Sequence, residues 1–348
     1  MDGNEKKTVT IRDVAALADV SVATASRALS GHGYVSSEVK QRVHDAAREL
    51  GYKPHALARS LRLQRTNTVG LMIADIVNPF YAYLADGVLD CAKPLGYHVI
   101  LCAHNEDPDM EQEYLEVLMQ ERADGIIAVP TGQNLSLWRE VIDLGTRLVF
   151  VDREVVGISD ADLVLVDNVK GAYDATAHLI SLGHRRIGII TGPTSTTTGN
   201  GRLRGYCNAL EEAQIPIDQD LVQIGTFMRE SGRQAAHRLL SMDEPPTAIF
   251  AANNVLGEAS LFVIRERGLR IPEDISLILF DDVPWASLTT PTISVVAQPE
   301  HSLGFVGMER LIRRLQETDK AENASTKTVL QPELIIRESC RAYTPPGS

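Results

Sequence analysis

Two sets of residues in this chain have the types and spacing to do chemistry. The first is Ser21-Val22-Ala23-Thr24-Ala25-Ser26-Arg27. On a helix, Val22, Ala23, Ser26 and Arg27 share an outward face while Ala25 and Leu29 point inward. Ser21, Thr24 and Ser26 have hydroxyls suited to phosphate. Val22 and Ala23 are small apolar groups suited to a thymine methyl, and the Arg27 fork matches O6 and N7 of a guanine. The second set recurs where apolar runs end: Asp75 and Asn78-Pro79-Phe80-Tyr81, Asp152-Arg153, Asp167-Asn168, Thr191 through Thr196-Thr197-Thr198 to Arg202, Phe227, Asn253-Asn254 and Asp281-Asp282. Carboxylates, amides, an arginine and flat rings at such positions suit a hydroxyl-rich ligand that also stacks on aromatic faces.

The elements that must position the first set are short helices. Thr10 and Ser21 are N-cap types ahead of two helical patterns that meet at Asp19-Val20-Ser21. Val14, Leu17 and Ala18 share one face, Ala15 allows a close crossing, and Asp19 can enter the left-handed region that ends the first helix. A third helix is capped by Ser36, buries Val39, Val43, Ala46, Ala47 and Leu50, and is closed by Gly51. This pattern is that of a helix-turn-helix, although a plain helical hairpin with a solvated face has the same periodicity.

The motifs Thr10-Ile11-Arg12-Asp13-Val14-Ala15, Val20-Ser21-Val22-Ala23-Thr24, Ser26-Arg27, Glu49-Leu50-Gly51-Tyr52 and Ala58-Arg59-Ser60-Leu61 together separate these readings. In combination they resemble the DNA-binding head and hinge helix of the Lac repressor (LacI/GalR) family of bacterial transcription regulators, and the resemblance extends over nearly the whole chain. It implies a DNA-binding surface of Ser21, Val22, Ala23, Thr24, Ser26, Arg27, Ala58 and Leu61. Leu61 is similar to the family's apolar wedge, which enters the minor groove and bends the duplex.

Beyond the head, strand and helix patterns alternate. Val69–Ala74 reads as a strand, Pro79–Ala92 as a helix, and so on to a strand at Leu148–Val151. A second series begins with a strand at Leu163–Val166, continues through a helix at Gly201–Ala213, and ends with a strand at Glu333–Arg337. The apolar runs are buried parallel strands. The expected fold class is an all-α helix-turn-helix head followed by an α/β, two-lobed effector domain resembling type I periplasmic binding proteins. The expected boundaries are 1–51 for the head, 52–67 for the hinge helix and linker, and 68–348 for the lobes. In open parallel sheets, ligands sit beyond the carboxyl ends of the strands, which places the second set between the lobes.

The resemblance implies that Arg202, in Gly201-Arg202-Leu203-Arg204-Gly205-Tyr206, and Asp281 grip the effector. Asp152, Phe227 and Asn253 align with further pocket positions, and Phe80 and Thr198 complete the expected set. Local alternatives remain: Asn168 and Asn254 are equally turn or cap residues, Phe80 and Tyr81 equally core aromatics. Purine repressors of the family have an arginine after the residue matching Pro193. Here the loop offers only hydroxyls, which favours a sugar or related polyol over a nucleoside or purine co-repressor.

Composition bounds the rest. The chain has 348 residues, 44% of them apolar, so more than one domain is expected. Residues 1–66 carry 11 Lys and Arg against 7 Asp and Glu, a net of +4, and the remainder 23 against 39, a net of −16. A basic head on an acidic body suits a polyanion partner. The absence of a signal-like segment and the four unpatterned cysteines indicate the cytoplasm, with no membrane, cofactor or metal. Gly199, Gly201 and Gly205 do not complete a dinucleotide fingerprint, and no hydrolase or nucleotide motif occurs, so an enzyme is not expected. A solute-binding module for transport would explain the lobes but not the head. The tail Glu338–Ser348 has no leucine heptad, so the expected assembly on operator DNA is a homodimer. Arg27→Ala should relax preference at one guanine per half-site in a binding-site selection, whereas uniform weakening on all sequences would reduce Arg27 to a phosphate contact.

Overall fold

A computed structural model describes residues 9–30, 34–52, 66–317 and 325–344. Ala58, Leu61 and nearly all of the expected hinge lie outside these. The chain divides into two compact units, Met1–Thr66 and Asn67–Ser348.

In the first unit, α1 (Ile11–Leu17), α2 (Val22–Ser30) and α3 (Ser37–Glu49) pack through small residues. Thr10 opens α1: its backbone N–H and hydroxyl both donate to Asp13, at 2.8 and 2.7 Å. Asp19 turns the chain in the left-handed region, with φ 51°. The core is Val14, Ala15, Ala18, Ala25, Ala28, Val43, Ala46 and Ala47. Leu17 corrects the sequence reading, because it is 47% exposed rather than buried with Val14 and Ala18. The buried stripe of α1 runs through Ala15 instead. Three short helices meeting on alanines leave no room for a leucine at their crossing.

The second unit holds two six-stranded sheets. The first contains β1 (Thr68–Ile73), β2 (His98–Ala103), β3 (Gly125–Ala128), β4 (Arg147–Val151), β5 (Asp162–Val166) and β11 (Lys327–Leu330), in the order β11-β5-β4-β3-β1-β2. The second contains β6 (Ile187–Thr191), β7 (Val222–Ile224), β8 (Ala248–Ala251), β9 (Ser276–Phe280), β10 (Ser294–Ala297) and β12 (Glu333–Ile335), in the order β12-β10-β9-β8-β6-β7. Among the described residues, only the β10–β12 pair is antiparallel. Alternation along each strand feeds two apolar layers. Leu71 and Ile73 join Leu84, Val88 and Leu303 on one face, while Met72 joins Leu115, Leu118 and Trp138 on the other. The second sheet is covered likewise, with Ile249 and Leu277 facing Leu239 and Leu256, and Phe250 and Ile278 facing Leu179 and Tyr206.

Two strands fall differently from the sequence reading. The strand at 162–166 does not open the second series; it pairs in parallel with β4 in the first sheet, Val149 opposite Asp162. Chain order alone cannot say which sheet a parallel strand joins. The strand β11 is new. It is a half-exposed edge strand beside β5, so it never presents the continuous apolar run that marks a buried strand. Among the described residues, the chain consequently crosses between lobes three times, after β5, after β10 and between β11 and β12.

On the first lobe, α4 (Pro79–Ala92) packs against α11 (Glu300–Gln316) with backbones in contact. A β-carbon on Gly304 would overlap the Leu84 carbonyl, and one on Gly87 the His301 carbonyl. Gly304→Ala should lower stability by about 1–3 kcal/mol, because this overlap outweighs the roughly 1 kcal/mol that alanine gains in helix propensity. A lowered urea midpoint would show it; an unchanged midpoint would mean the helices separate at no cost.

Candidate functional site

In the first unit, the start of α2 is built by its own hydroxyls. Thr24 N–H donates to Ser21 Oγ at 3.1 Å, and the two hydroxyls lie 2.8 Å apart. Arg42 of α3 donates to the Ala18 and Asp19 carbonyls at 2.6 and 3.2 Å, satisfying the end of α1 and fixing the turn. No local pattern announces this contact, which spans more than twenty residues. Burial of Ala25 and Ala28 turns Val22, Ala23 and Arg27 outward, with Ser26 half-buried. Arg27 Nε donates to the Ala23 carbonyl at 3.3 Å, laying the guanidinium along the exposed face.

In the second unit, the seven residues Phe80, Asp152, Thr198, Arg202, Phe227, Asn253 and Asp281 line one partly open cavity between the lobes. Each is placed by a strand end or a helix start. Asn78 caps α4 by accepting from Phe80 N–H at 3.1 Å, with Pro79 in the first turn. Thr196 caps α8 (Thr197–Glu212) by accepting from Gly199 N–H at 3.1 Å. That helix begins four residues before the expected Gly201, so Thr198 and Arg202 stand one turn apart on one face. Asn253 caps α10 (Asn254–Glu266), accepting from Leu256 N–H at 2.8 Å.

Asp152 and Asp281 occupy corresponding places. Each follows the third strand of its sheet, each has positive φ, 65° and 77°, and each donates its N–H to a neighbouring strand carbonyl, Val164 at 3.0 Å and Val296 at 2.9 Å. Their surroundings differ. Asp281 Oδ2 accepts from the Asn254 N–H and side-chain amide at 3.1 and 3.0 Å, and Oδ1 from Gln298 Nε2 at 2.6 Å. Asp152 has Arg153 Nε at 3.5 Å from Oδ2, while its buried Oδ1 has no hydrogen-bond partner. Burial pushes the Asp152 carboxyl up to about 6, against the pull of Arg153 and Arg202.

Both arginines of the cavity wall are engaged. Arg202 donates to Asn168 Oδ1 at 2.8 Å and to the Ala252 carbonyl at 2.5 Å, with its guanidinium over the Phe280 ring at 3.8 Å. Burial pulls it down from the ordinary arginine value, with Asp281 and Asp152 opposing. Arg153 makes a two-pronged pair with Glu106 at 2.7 and 2.6 Å, reaches Tyr81 Oη at 3.3 Å, and lies over Phe227 of the other lobe at 5.2 Å. Burial raises Glu106, but Arg153 overrides it and holds the carboxyl below the usual range. Gln298 Oε1 is a second buried acceptor in the lining with no partner. Asn254 Nδ2 also donates to Asn78 Oδ1 at 2.8 Å, a direct bond from one lobe to the other.

Glu106 was missed by the sequence reading, and Arg153 appeared there only as the neighbour of Asp152. The signal for Glu106 was the polar run His104-Asn105-Glu106 directly after β2, a strand end like the others.

Residues 10–55 match the family described as bacterial regulatory proteins, lacI family, and residues 176–340 match a periplasmic binding protein-like domain. The transcriptional regulator DegA of Bacillus subtilis is 37% identical over 333 residues, covering 95% of this chain and 97% of DegA. The ribose operon repressor of Haemophilus influenzae is 34% identical, covering 95% and 98%. Among solved structures, the Lac repressor dimer bound to operator and the anti-inducer ONPF is 25% identical, with a TM-score of 0.83 over 97% of this chain and all of that one. The chain belongs to the lacI family.

As a lacI-family protein it is a DNA-binding transcriptional regulator and not an enzyme. The matched head contains the exposed start of α2, and the periplasmic-binding-like match takes in Thr198, Arg202, Phe227, Asn253 and Asp281. Among the described residues, no helix is long and apolar enough to cross a membrane.

The raised Asp152 carboxyl has a signed consequence. Between its unfolded value near 3.8 and its folded value of about 6, the folded protein keeps a proton that the unfolded chain releases. Its contribution therefore falls as pH rises through that window, by roughly 3 kcal/mol at 1.36 kcal/mol per unit. Urea unfolding of Asp152→Asn should show the variant gaining stability over the parent between pH 4.5 and pH 7.5. Parallel pH profiles for the two proteins would contradict this.

Proposed function

We propose that this protein is a cytoplasmic repressor that binds a near-palindromic operator as a homodimer. A neutral, hydroxyl-rich effector, a sugar or sugar derivative, held between its lobes sets its affinity for that operator. The observation that carries the effector class is the pair of unpartnered buried acceptors, Asp152 Oδ1 and Gln298 Oε1, in the cavity wall. A buried acceptor without a partner costs free energy until something donates to it, and hydroxyls are neutral donors. Phe80 and Phe227 offer the faces on which a sugar's apolar side stacks. An anion is disfavoured, because the lining holds Asp75, Glu106, Asp152 and Asp281 against Arg153 and Arg202.

Several features support the DNA half of the proposal. Val22, Ala23 and Arg27 are presented at the exposed N-terminal part of α2, where a recognition helix meets base edges. Ser21, Thr24 and Ser26 border them as phosphate contacts. Ala58 and Leu61, in the segment that resembles the family's hinge, are proposed as further DNA contacts. Self-association is supported by exposed apolar residues that a monomer gains nothing by displaying: Tyr83 and Leu89 on α4, Leu101 on edge strand β2, and Phe262 on α10. A ligand drawing Arg202 and Asp281 toward the first lobe would change the spacing of the lobes. It would shift operator affinity by its differential affinity for the two arrangements, with release of DNA on binding as the proposed sign.

A thermal-shift screen of sugars, sugar acids, polyols and nucleosides, followed by operator titrations with each hit, tests this. A neutral sugar or polyol should raise the melting temperature and weaken operator binding, and Asp281→Ala should lose both effects. A ligand that stabilises the protein while leaving operator affinity unchanged at saturation would sink the switching mechanism. Hits confined to nucleosides or acids would sink the effector class.

A further inference from the structure

Away from the cavity, the outer face of α4 and the first turn of α11 bring three metal-ligand side chains together. Asp86 and Asp90 stand one turn apart on α4, and His301 approaches from α11. One ligand atom from each lies within 4.8 Å of the other two. His301 Nε2 is 3.1 Å from Asp90 Oδ2, and Asp86 has no hydrogen bond or ion pair among the described residues. We propose that Asp86, Asp90 and His301 form a three-ligand site for a borderline divalent cation such as Zn²⁺.

The donor set selects the cation. Imidazole with carboxylates suits Zn²⁺, Co²⁺ or Ni²⁺, whereas Mg²⁺ and Ca²⁺ take all-oxygen shells. Bonds of about 2.0–2.2 Å to a tetrahedral Zn²⁺ put neighbouring ligand atoms roughly 3.3–3.6 Å apart. Closing from 4.8 Å needs only rotation of exposed side chains, and all three are exposed. The backbone beneath them is fixed. Gly87, next to Asp86, and Gly304, one turn after His301, hold the two helix backbones in contact, so the ligands sit on rigid elements rather than loops. Phe305 stacks on the His301 ring, at 6.3 Å and 23°, and sets its plane. Two carboxylates with one imidazole leave an excess of negative charge that a dication cancels. Three protein ligands leave a fourth position for water.

The experiment uses the full chain without an affinity tag and titrates it with Co²⁺, read by visible d–d absorbance. One equivalent per chain should bind, Zn²⁺ should displace it, and Mg²⁺ at the same concentration should not. His301→Ala and Asp86→Asn should each weaken that equivalent at least tenfold while leaving the melting temperature of the metal-free protein unchanged. Absence of a saturable equivalent would overturn the proposal. Retention of binding in either variant would also overturn it, since the cation would then sit on other histidines or cysteines of the chain.

Discussion

The second unit depends on how one buried carboxylate is satisfied. Asp281 lies beyond the end of β9 in a left-handed conformation and takes three hydrogen bonds, two from Asn254 and one from Gln298. A buried carboxylate without such donors would cost several kcal/mol or take up a proton. Asn254 begins the helix after β8 and also bonds to Asn78 of the other lobe, while Gln298 lies in the segment that crosses to the first lobe after β10. One charge thus ties together two strand ends of the second sheet, a crossover and the opposite lobe. Arg202 lies in the same field, and its guanidinium on the Phe280 ring sits immediately before Asp281 in the chain.

The lobes are alike in strand order and in the aspartate beyond each third strand, but unlike in what those aspartates are given. Asp281 is fully supplied with donors. Asp152 has a guanidinium beside one oxygen and nothing on the other. The unmet demand of the cavity therefore sits on the first lobe and on the crossover glutamine, while the second lobe presents a finished surface. A donor-rich effector has most to gain where the protein has left acceptors bare.

Much of this was legible because strand ends and helix starts have local rules. Proline at position 79 after an asparagine cap, the Ser21 and Ser36 caps, and the turn through Asp19 all follow from what those residues do within four positions. The seven cavity residues are legible because the carboxyl ends of parallel strands converge. What stayed hidden was non-local. Arg42 clamps a turn more than twenty residues away, Glu106 meets Arg153 across 47 residues, and Asn254 meets Asn78 across 176. The edge strand β11 was hidden for the opposite reason, since its half-exposed pattern has too little apolar signal. Leu17 was misread because periodicity gives a stripe's spacing but not which residue of an alanine-rich crossing must be smallest.

The three crossings between the lobes set the mechanics of the second unit. A body joined to another at one point can twist and slide in any direction. Joined at three, through Asp167, through Gln298-Pro299 and through Gln331-Pro332, it is left with little besides a swing about the line the crossings define, like a door on three pins. Two pins contain proline, whose fixed φ stiffens them. The middle pin also carries the amide that holds Asp281. An occupant of the cavity therefore touches the pivot itself, and a small displacement there is geared up to a larger travel at the far rim of each jaw.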